Sequence, residues 1–434
     1  MRLRGGVLGL RLIVGSSLVW LACCAVAPAP EPGMSGLLTE ARTSPARAVD
    51  AMRAICEKIA GRPFVPGNHV RLLINGPASF AALAAAIGSA RQRIDMESYE
   101  FDDDAGVAFG NALLAAKHRG LAVHLIYDGW GTLTTPSALF DELRRGGIAT
   151  VDYNPLVPGV RLPFDINSRD HRKLFVTDNR VVITGGVNIS GVYVNPPGIH
   201  AADPDDEAWR DTDIRIEGPV AAEFEQIFAG TWQRQSGHAL PAPPQPPPPF
   251  ADGVPVLAID GAPAADHPRI YRALLATIAL ARKSVHLTTG FFAPTGSFLR
   301  ALEAAARRGV DVQIIVPARS TSSAALAAGR ADYGQLLTAG VGIHEFHGRI
   351  LHAKTAVIDG VWSAIGSSNL DWRSTVWNNE LDAVVLSRQF GADMETVFTE
   401  DLADTTEISR HAWAERGLGE RLDEFGAGLI APLL

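Results

Sequence analysis

The stretch HRKLFVTDNRVVITGGVNIS at residues 171–190 places a histidine, a lysine and an aspartate around the start of a strand-like pattern. A second stretch, HAKTAVIDGVWSAIGSSNLD at residues 352–371, repeats this arrangement 181 positions later. Both follow H-x-K-x4-D and then G-[GS]-x-N at the same spacing. Because the shared polar and glycine positions stay in register, the two stretches indicate two copies of one structural plan.

The copies are separated by LPAPPQPPPPFADG at residues 240–253, a proline run that favours extended backbone and ends any helix or central strand. On each side of it, short apolar strands alternate with amphipathic helices, which is typical of βαβ units. We therefore expect an α/β fold with two similar halves, each with a mostly parallel central sheet. The predicted domains are 49–238 and 253–434, joined by a linker at 239–252.

The N-terminus is typical of a targeting segment, because Arg2, Arg4 and Arg11 precede an apolar run at residues 12–22. The sequence WLACC resembles a lipoprotein cleavage site, with Cys23 or Cys24 as the lipidated residue. An uncleaved anchor over residues 7–26 is the alternative. We expect residues 1–48 to be a signal or anchor followed by a flexible spacer, and the protein to be associated with the membrane of a bacterial cell envelope.

The composition argues against a nucleic-acid-coating protein. The 434 residues carry a formal net charge of −8, and 47% of them are hydrophobic. A dense basic face would be needed to bind many backbone phosphates. Nucleic acid is therefore not an expected partner, and nothing in the composition predicts the oligomeric state.

Each histidine stands two residues before a lysine, at the start of a predicted strand. Side chains at i and i+2 point to the same face of a strand, so His171 and Lys173 share a face, as do His352 and Lys354. A cation beside an imidazole disfavours a metal ion and favours an anion. We expect a phosphate site with no metal and no cofactor, in which the two lysines provide charge.

Asn188 and Asn369 follow the repeated Gly and can add N–H donors to the same phosphate. Ser367 is a further candidate donor, and its counterpart in the first copy is Gly186. If the two halves face each other, both sets of side chains converge on one phosphate.

Two histidines are suited to a double displacement. One neutral imidazole attacks phosphorus, and the other donates a proton to the leaving group and later accepts one. A carboxylate is expected to orient each ring. Asp211 follows His171 in the first copy and Glu380 follows His352 in the second, so we predict Asp211 as the partner of His171.

Asp178 and Asp359 stand five residues beyond their lysines, at the far end of the predicted strand. This position favours a structural role, in which the carboxylate fixes the turn before the next strand.

These twin motifs resemble those of the phospholipase D superfamily, and the chain is most similar to bacterial cardiolipin synthases. The resemblance also rests on WRDTDIRIEGP at 209–219 and NNELDAVV at 378–385, and it covers roughly residues 70–425. It implies a pseudo-dimer of two phospholipase D-like halves with one active site between them. It also implies a phosphohistidine intermediate, no metal, and phosphatidyl transfer between two phosphatidylglycerols at a membrane surface. It also implies that the catalytic residues are those of the two motifs: His171, Lys173, Asp178, His352, Lys354 and Asp359.

Two other functions use the same residues. A phospholipase D-type lipid hydrolase differs only in taking water as the acceptor, and the sequence does not distinguish water from a lipid alcohol. A phosphodiesterase acting on nucleic acid is disfavoured by the acidic net charge.

Overall fold

The computed structural model describes residues 48–156, 167–194, 208–262 and 268–431. The predicted targeting segment, with Cys23 and Cys24, lies outside these residues. Within them, no helix combines the length and the apolar character needed to cross a membrane.

The strands are β1 (Val65–Ile74), β2 (Arg93–Ser98), β3 (Ala122–Asp128), β4 (Ala149–Tyr153), β5 (Leu174–Thr177), β6 (Val181–Gly185), β7 (Thr212–Glu217), β8 (Val254–Gly261), β9 (Ser284–Thr289), β10 (Phe292–Ala293), β11 (Asp311–Pro317), β12 (Gly342–Phe346), β13 (Lys354–Ile358), β14 (Trp362–Gly366), β15 (Leu370–Asp371), β16 (Glu380–Leu386) and β17 (Thr405–Glu407). The α-helices are α1 (Ala48–Ala60), α2 (Asn75–Ser89), α3 (Asp103–His118), α4 (Ser137–Arg145), α5 (Ala221–Ser236), α6 (Arg269–Leu280), α7 (Gly296–Arg307), α8 (Ser323–Arg330), α9 (Tyr333–Ala339), α10 (Trp372–Val376), α11 (Arg388–Leu402), α12 (Arg410–Ala414) and α13 (Leu418–Ile430).

One sheet of fifteen strands runs through the described chain, in the order β17-β12-β11-β9-β13-β14-β16-β8-β1-β7-β6-β5-β2-β3-β4. The order in the second half mirrors that in the first, and the antiparallel pair β1–β8 forms the junction between them. The expected α/β pseudo-dimer is therefore confirmed.

The prediction of mostly parallel sheets is wrong. Only β2–β3–β4 and β9–β11–β12 run parallel among the described strands of this sheet. β5 and β6 form an antiparallel hairpin, as do β13 and β14, because only a short turn joins the strands of each pair. β6 and β14, which follow the two H-x-K-x4-D motifs, therefore run antiparallel to β5 and β13.

Helix α7 shows how the local sequence determines an element. The Thr295 hydroxyl accepts a hydrogen bond from the Phe298 amide and caps the helix start. Phe298, Leu299, Leu302 and Ala305 are buried at helical spacing, so one face of the helix packs on the sheet.

Helix α1 packs across the predicted domain boundary. Its buried residues Met52, Ile55 and Cys56 join the hydrophobic core of the second half, together with Leu274 of α6 and Leu287 of β9. The boundary at residue 49, which assigned this helix to the first domain, therefore does not match the packing. The helix joins the two halves in addition to the β1–β8 junction.

The linker lies against the first half. The carbonyl oxygen of Pro241 accepts a hydrogen bond from Nη1 of Arg93 at 2.7 Å, and that of Pro244 accepts one from Nδ2 of Asn179 at 2.8 Å. The Phe250 amide donates to the carbonyl oxygen of Gly67 at 3.0 Å. The proline run is therefore fixed on the surface it crosses.

Asp178 and Asp359 have equivalent places in the two halves. The Asp178 carboxylate accepts hydrogen bonds from the backbone amides of residues 91–93, each at 2.8 Å. Asp359 accepts from the amides of residues 282–284 at 2.7–3.1 Å. Both aspartates have positive φ, at 52° and 53°. They fix the chain that enters β2 and β9, and this geometry favours a structural role over the catalytic role that the resemblance implied.

Candidate active site

Each histidine segment is held by the opposite half of the molecule. The His171 amide donates to the carbonyl oxygen of Asn379 at 3.0 Å, and the Asn379 amide donates to that of Arg169 at 2.8 Å. In the same way, the His352 amide donates to the carbonyl oxygen of Arg210 at 2.8 Å. These short parallel bridges place each histidine beside the first residues of the other half's strand, β16 or β7.

The ring of His171 is oriented by Glu380. Both carboxylate oxygens lie 3.1 Å from Nδ1, and Glu380 is fully buried. Because a carboxylate only accepts, Nδ1 carries the proton and Nε2 keeps its lone pair. Nζ of Lys173 donates to the carbonyl oxygen of His171 at 2.6 Å and lies 5.1 Å from the centre of the Tyr99 ring.

The ring of His352 is oriented by Asp211. Oδ2 of this fully buried aspartate lies 2.7 Å from Nδ1. The same nitrogen lies 3.0 Å from the Tyr193 hydroxyl and 2.8 Å from Nζ of Lys354. Lys354 also donates to the carbonyl oxygen of His352. Of these neighbours, only the carboxylate is a pure acceptor, so the Nδ1 proton is directed at Asp211.

The predicted pairing of Asp211 with His171 is therefore wrong, although both acids contact a catalytic-motif histidine. Each half supplies the acid for the other half's histidine. The strands β7 and β16 begin beside the junction of the halves, so their first residues reach across it.

Burial strongly affects the charge of the site. Burial and the neighbouring lysines outweigh the adjacent carboxylates, and they lower the pKa of His171 to about 4 and that of His352 to about 3. Burial likewise lowers the pKa of Lys173 to about 8 and that of Lys354 to about 7. Near neutral pH both imidazoles are therefore uncharged, which is the form a nucleophile requires.

A cavity of about 310 Å³ contains the site. Both histidines line it, and Asn188 and Asn369 line it from the two halves. Oδ1 of Asn369 is buried and has no hydrogen-bond partner in the described chain. The structure thus brings together both histidines and both asparagines.

Three other predicted phosphate ligands are adjacent to the site but do not line the cavity. Among the described residues, Lys173, Lys354 and Ser367 are not part of the cavity lining. The lysines stand behind the histidines, bonded to their carbonyl oxygens. The Ser367 hydroxyl donates to Glu380 and accepts from the Leu381 amide, so it orients the acid instead of facing a phosphate.

The first half has no counterpart of that serine because Asp211 fills its place. A Cβ at Gly186 would lie 2.1 Å from Oδ1 of Asp211. Asp211 is instead held by the start of β7, because its Oδ1 accepts a hydrogen bond from the Thr212 amide at 2.7 Å.

Tyr193 was missed by sequence reasoning. It is fully buried, and its hydroxyl contacts both His352 and Nδ2 of Asn188. The register of the repeat aligns it with Ser374, so a comparison of the two copies gives no signal for it. The described residues contain no group of three or more His, Cys, Asp or Glu side chains suited to a metal ion.

Comparisons with known proteins agree with this geometry. The family described as "Cardiolipin synthase, PLD-like domain" matches residues 83–232 and 274–402, one segment in each half. The chain belongs to the cardiolipin synthase family of the phospholipase D superfamily. Its relatives include cardiolipin synthase A from Yersinia pseudotuberculosis and from Yersinia pestis, each 32% identical over 390 residues, which cover 88% of this chain and 78% of the relative. A member of this family is a phosphatidyltransferase-type enzyme.

Solved structures support the fold alone. The phosphatidylserine synthase of Haemophilus influenzae superposes with a TM-score of 0.63 at 13% identity, covering 88% of this chain and all of that chain. The polyphosphate kinase of Porphyromonas gingivalis gives a TM-score of 0.51 at 12% identity, over 89% of this chain and 53% of that one. Family membership rests on the sequence matches.

Proposed function

We propose that this protein transfers a phosphatidyl group from one phosphatidylglycerol to another, giving cardiolipin and glycerol through a phosphohistidine. The observation that carries the proposal is the crossed pairing of the two histidines with Glu380 and Asp211 in one cavity. It supplies two neutral, oriented imidazoles, and the chemistry needs one nucleophile and one proton carrier.

In the first step, Nε2 of one histidine forms a bond to phosphorus as the bond from phosphorus to the glycerol oxygen breaks. The other histidine, protonated as substrate binds, gives its proton to the departing oxygen. The anionic substrate favours that protonation, because it adds negative charge beside a buried ring and so raises the pKa of that ring.

In the second step, a hydroxyl of the acceptor attacks the phosphohistidine. A new oxygen–phosphorus bond forms, the nitrogen–phosphorus bond breaks, and the acceptor's proton passes to the second histidine. The two buried lysines provide positive charge behind the rings, and Asn188 and Asn369 provide amide groups at the cavity wall.

We also propose that the reaction takes place at a membrane surface, to which the predicted N-terminal anchor attaches the protein. Two apolar side chains support this proposal. Trp130 is 50% exposed and Leu133 is 63% exposed. They lie in the loop whose Gly131 packs closely against Tyr99, a residue that lines the cavity. Large exposed apolar side chains beside a lipid-binding cavity are suited to insertion between lipid headgroups.

The test of the catalytic proposal uses purified full-length protein and phosphatidylglycerol vesicles, with lipid products followed by mass spectrometry. We expect cardiolipin and an equal amount of glycerol, and an acid-labile phosphohistidine after rapid quenching. His171→Ala and His352→Ala should each abolish turnover, because the two rings act as a unit. Release of phosphatidic acid without cardiolipin would instead identify a lipid hydrolase.

The membrane proposal has a separate test. A Trp130→Ser/Leu133→Ser double variant should bind phosphatidylglycerol vesicles more weakly in a flotation assay, and its activity on detergent-dispersed lipid should match that of the unaltered protein. Equal vesicle binding by both proteins would contradict the role of this loop.

A further inference from the structure

The two sides of the cavity differ in polarity at positions that the repeat makes equivalent. Arg169 stands two residues before His171, whereas Ile350 stands two before His352. Asn378 stands two residues before Glu380, whereas Trp209 stands two before Asp211. Arg373 is the counterpart of Val192, by the same register that pairs the two motifs.

The polar members of these pairs lie together on the His171 side. Arg169, Arg373 and Asn378 all line the cavity. Nη2 of Arg373 lies 3.5 Å from the carbonyl oxygen of Asn167, and the Asn378 amide donates to the carbonyl oxygen of Arg373 at 2.9 Å. On the other side, the Trp209 ring centre lies 5.2 Å from that of His352. Both arginines therefore lie on the His171 side of the cavity, whereas the equivalent positions of the other half hold Ile350 and Val192.

Arg169 has unused hydrogen-bonding capacity. It is 2% exposed, and its Nη1 donates to the carbonyl oxygen of Asn154 at 3.0 Å and lies 3.5 Å from Oδ1 of Asp128. Its Nε and Nη2 have no hydrogen-bond partner among the described residues, and neither does Oδ1 of Asn378. Buried donors without partners cost free energy, so such a group in a cavity wall indicates a ligand that completes it.

We propose that Arg169, Arg373 and Asn378 form a subsite for the phosphodiester of the acceptor phospholipid, distinct from the phosphate that reacts at the histidines. This inference rests on the proposed phosphatidyl transfer and specifies how the acceptor is chosen. Arginine is suited to the role because its planar donors match phosphate oxygens in pairs. Oδ1 of Asn378 accepts a hydrogen bond from the central hydroxyl of the glycerol that joins the two phosphates.

The chemistry of the two half-reactions explains why a second cation is needed. The donor phosphatidylglycerol ends in an uncharged glycerol, which leaves in the first step. The acceptor attacks from the position of that leaving group, and it carries its own phosphodiester at the other end of a three-carbon glycerol. Only an acceptor phospholipid, or cardiolipin in the reverse reaction, therefore places negative charge at the arginines. Water and free glycerol do not.

Two reactions of the same phosphoenzyme distinguish a defect in this subsite from a defect in the shared catalytic residues. The first is the exchange of isotope-labelled glycerol into phosphatidylglycerol, which uses an uncharged acceptor. The second is the formation of cardiolipin. In Arg373→Gln, the ratio of cardiolipin formation to glycerol exchange should fall about 10- to 150-fold, the loss expected for one hydrogen bond to a charged group. Arg169→Lys, which keeps the charge and removes the paired donors, should lower the ratio in the same direction.

Arg307→Gln is the matched control, because Arg307 is an exposed arginine on α7 paired with Glu303, and its ratio should equal that of the unaltered protein. An unchanged ratio in Arg373→Gln, or an equal loss of both reactions in a folded Arg373→Gln protein, would overturn the subsite. Failure of the unaltered protein to exchange glycerol or to form cardiolipin would instead contradict the proposed function.

Discussion

Replacing Glu380 by glutamine should disable the histidine of the opposite half. Both carboxylate oxygens of Glu380 contact Nδ1 of His171 at 3.1 Å, while Ser367 and Asn378 donate to the same group. Glutamine keeps the shape but has only one acceptor oxygen and no charge. The ring then loses the partner that fixes its tautomer and balances the charge it acquires in the reaction cycle.

The expected size of the effect follows from the contact. A hydrogen bond to a charged group contributes about 1.5–3 kcal/mol, which corresponds to a loss of turnover of about 10- to 150-fold. Burial raises the pKa of Glu380, but its contacts with His171, the charge of Lys173 and the hydrogen bond from Ser367 outweigh burial, so the pKa is lowered overall. The carboxylate is therefore ionised at neutral pH, and the full effect should be seen there.

The assay combines steady-state transfer with nitrogen NMR of ¹⁵N-histidine-labelled protein, in which the signals are assigned with His171→Gln and His352→Gln. Glu380→Gln should shift the ring nitrogens of His171, and Asp211→Asn should shift those of His352. Asp382→Asn is the control, because it removes another buried carboxylate of β16 that accepts from the Ser368 amide. If Glu380→Gln shifted His352 and left His171 unchanged, the crossed pairing would be refuted.

Four further predictions follow from the same geometry. Gly186→Ala should reduce turnover at least as much as Asp211→Asn, because the added Cβ would lie 2.1 Å from Oδ1 of Asp211; kinetics of both variants, with circular dichroism to confirm folding, test this. Tyr193→Phe removes a hydroxyl that lies 3.0 Å from Nδ1 of His352, and it should shift the pH profile of kcat without a matching change in KM. Ile55→Ala in α1 should lower the free energy of unfolding by about 2–5 kcal/mol in urea titrations. Sulfate binding at pH 8 should be accompanied by proton uptake. Burial lowers the pKa of Lys354 to about 7, so this lysine is mostly uncharged at pH 8, and a bound anion raises its pKa. Calorimetry in buffers of different ionisation enthalpy measures the number of protons taken up.

The duplication visible in the sequence predicted two equivalent sets of site residues, and the family resemblance implied that they share one site. Residues in register at two places must occupy equivalent positions in two similar halves, and alternation along a strand put each lysine beside its histidine. The same reasoning placed Asp178 at a turn, which its three amide contacts now support. These conclusions depend on residue spacing within one strand and the turn after it, and the repeat shows this spacing twice.

The crossing of the acids could not be predicted in this way. Asp211 follows His171 in the chain, but which strand end lies beside which histidine depends on how the halves dock, and that depends on packing across β1 and β8. Tyr193 was missed because the repeat argument rejects a residue that differs between the copies. The same limitation hid the contrast between Arg169 and Ile350, which becomes meaningful only when both are placed in one cavity.

The inequality of Gly186 and Ser367 has a consequence for how such an enzyme can specialise. In an assembly of two identical subunits around a twofold axis, any improvement to one histidine's surroundings is copied to the other. A continuous chain removes that symmetry, so one half can combine a short acid with glycine while the other combines a long acid with serine. The two imidazoles then become chemically different, and a division of labour between attack and proton transfer can be encoded permanently in the chain.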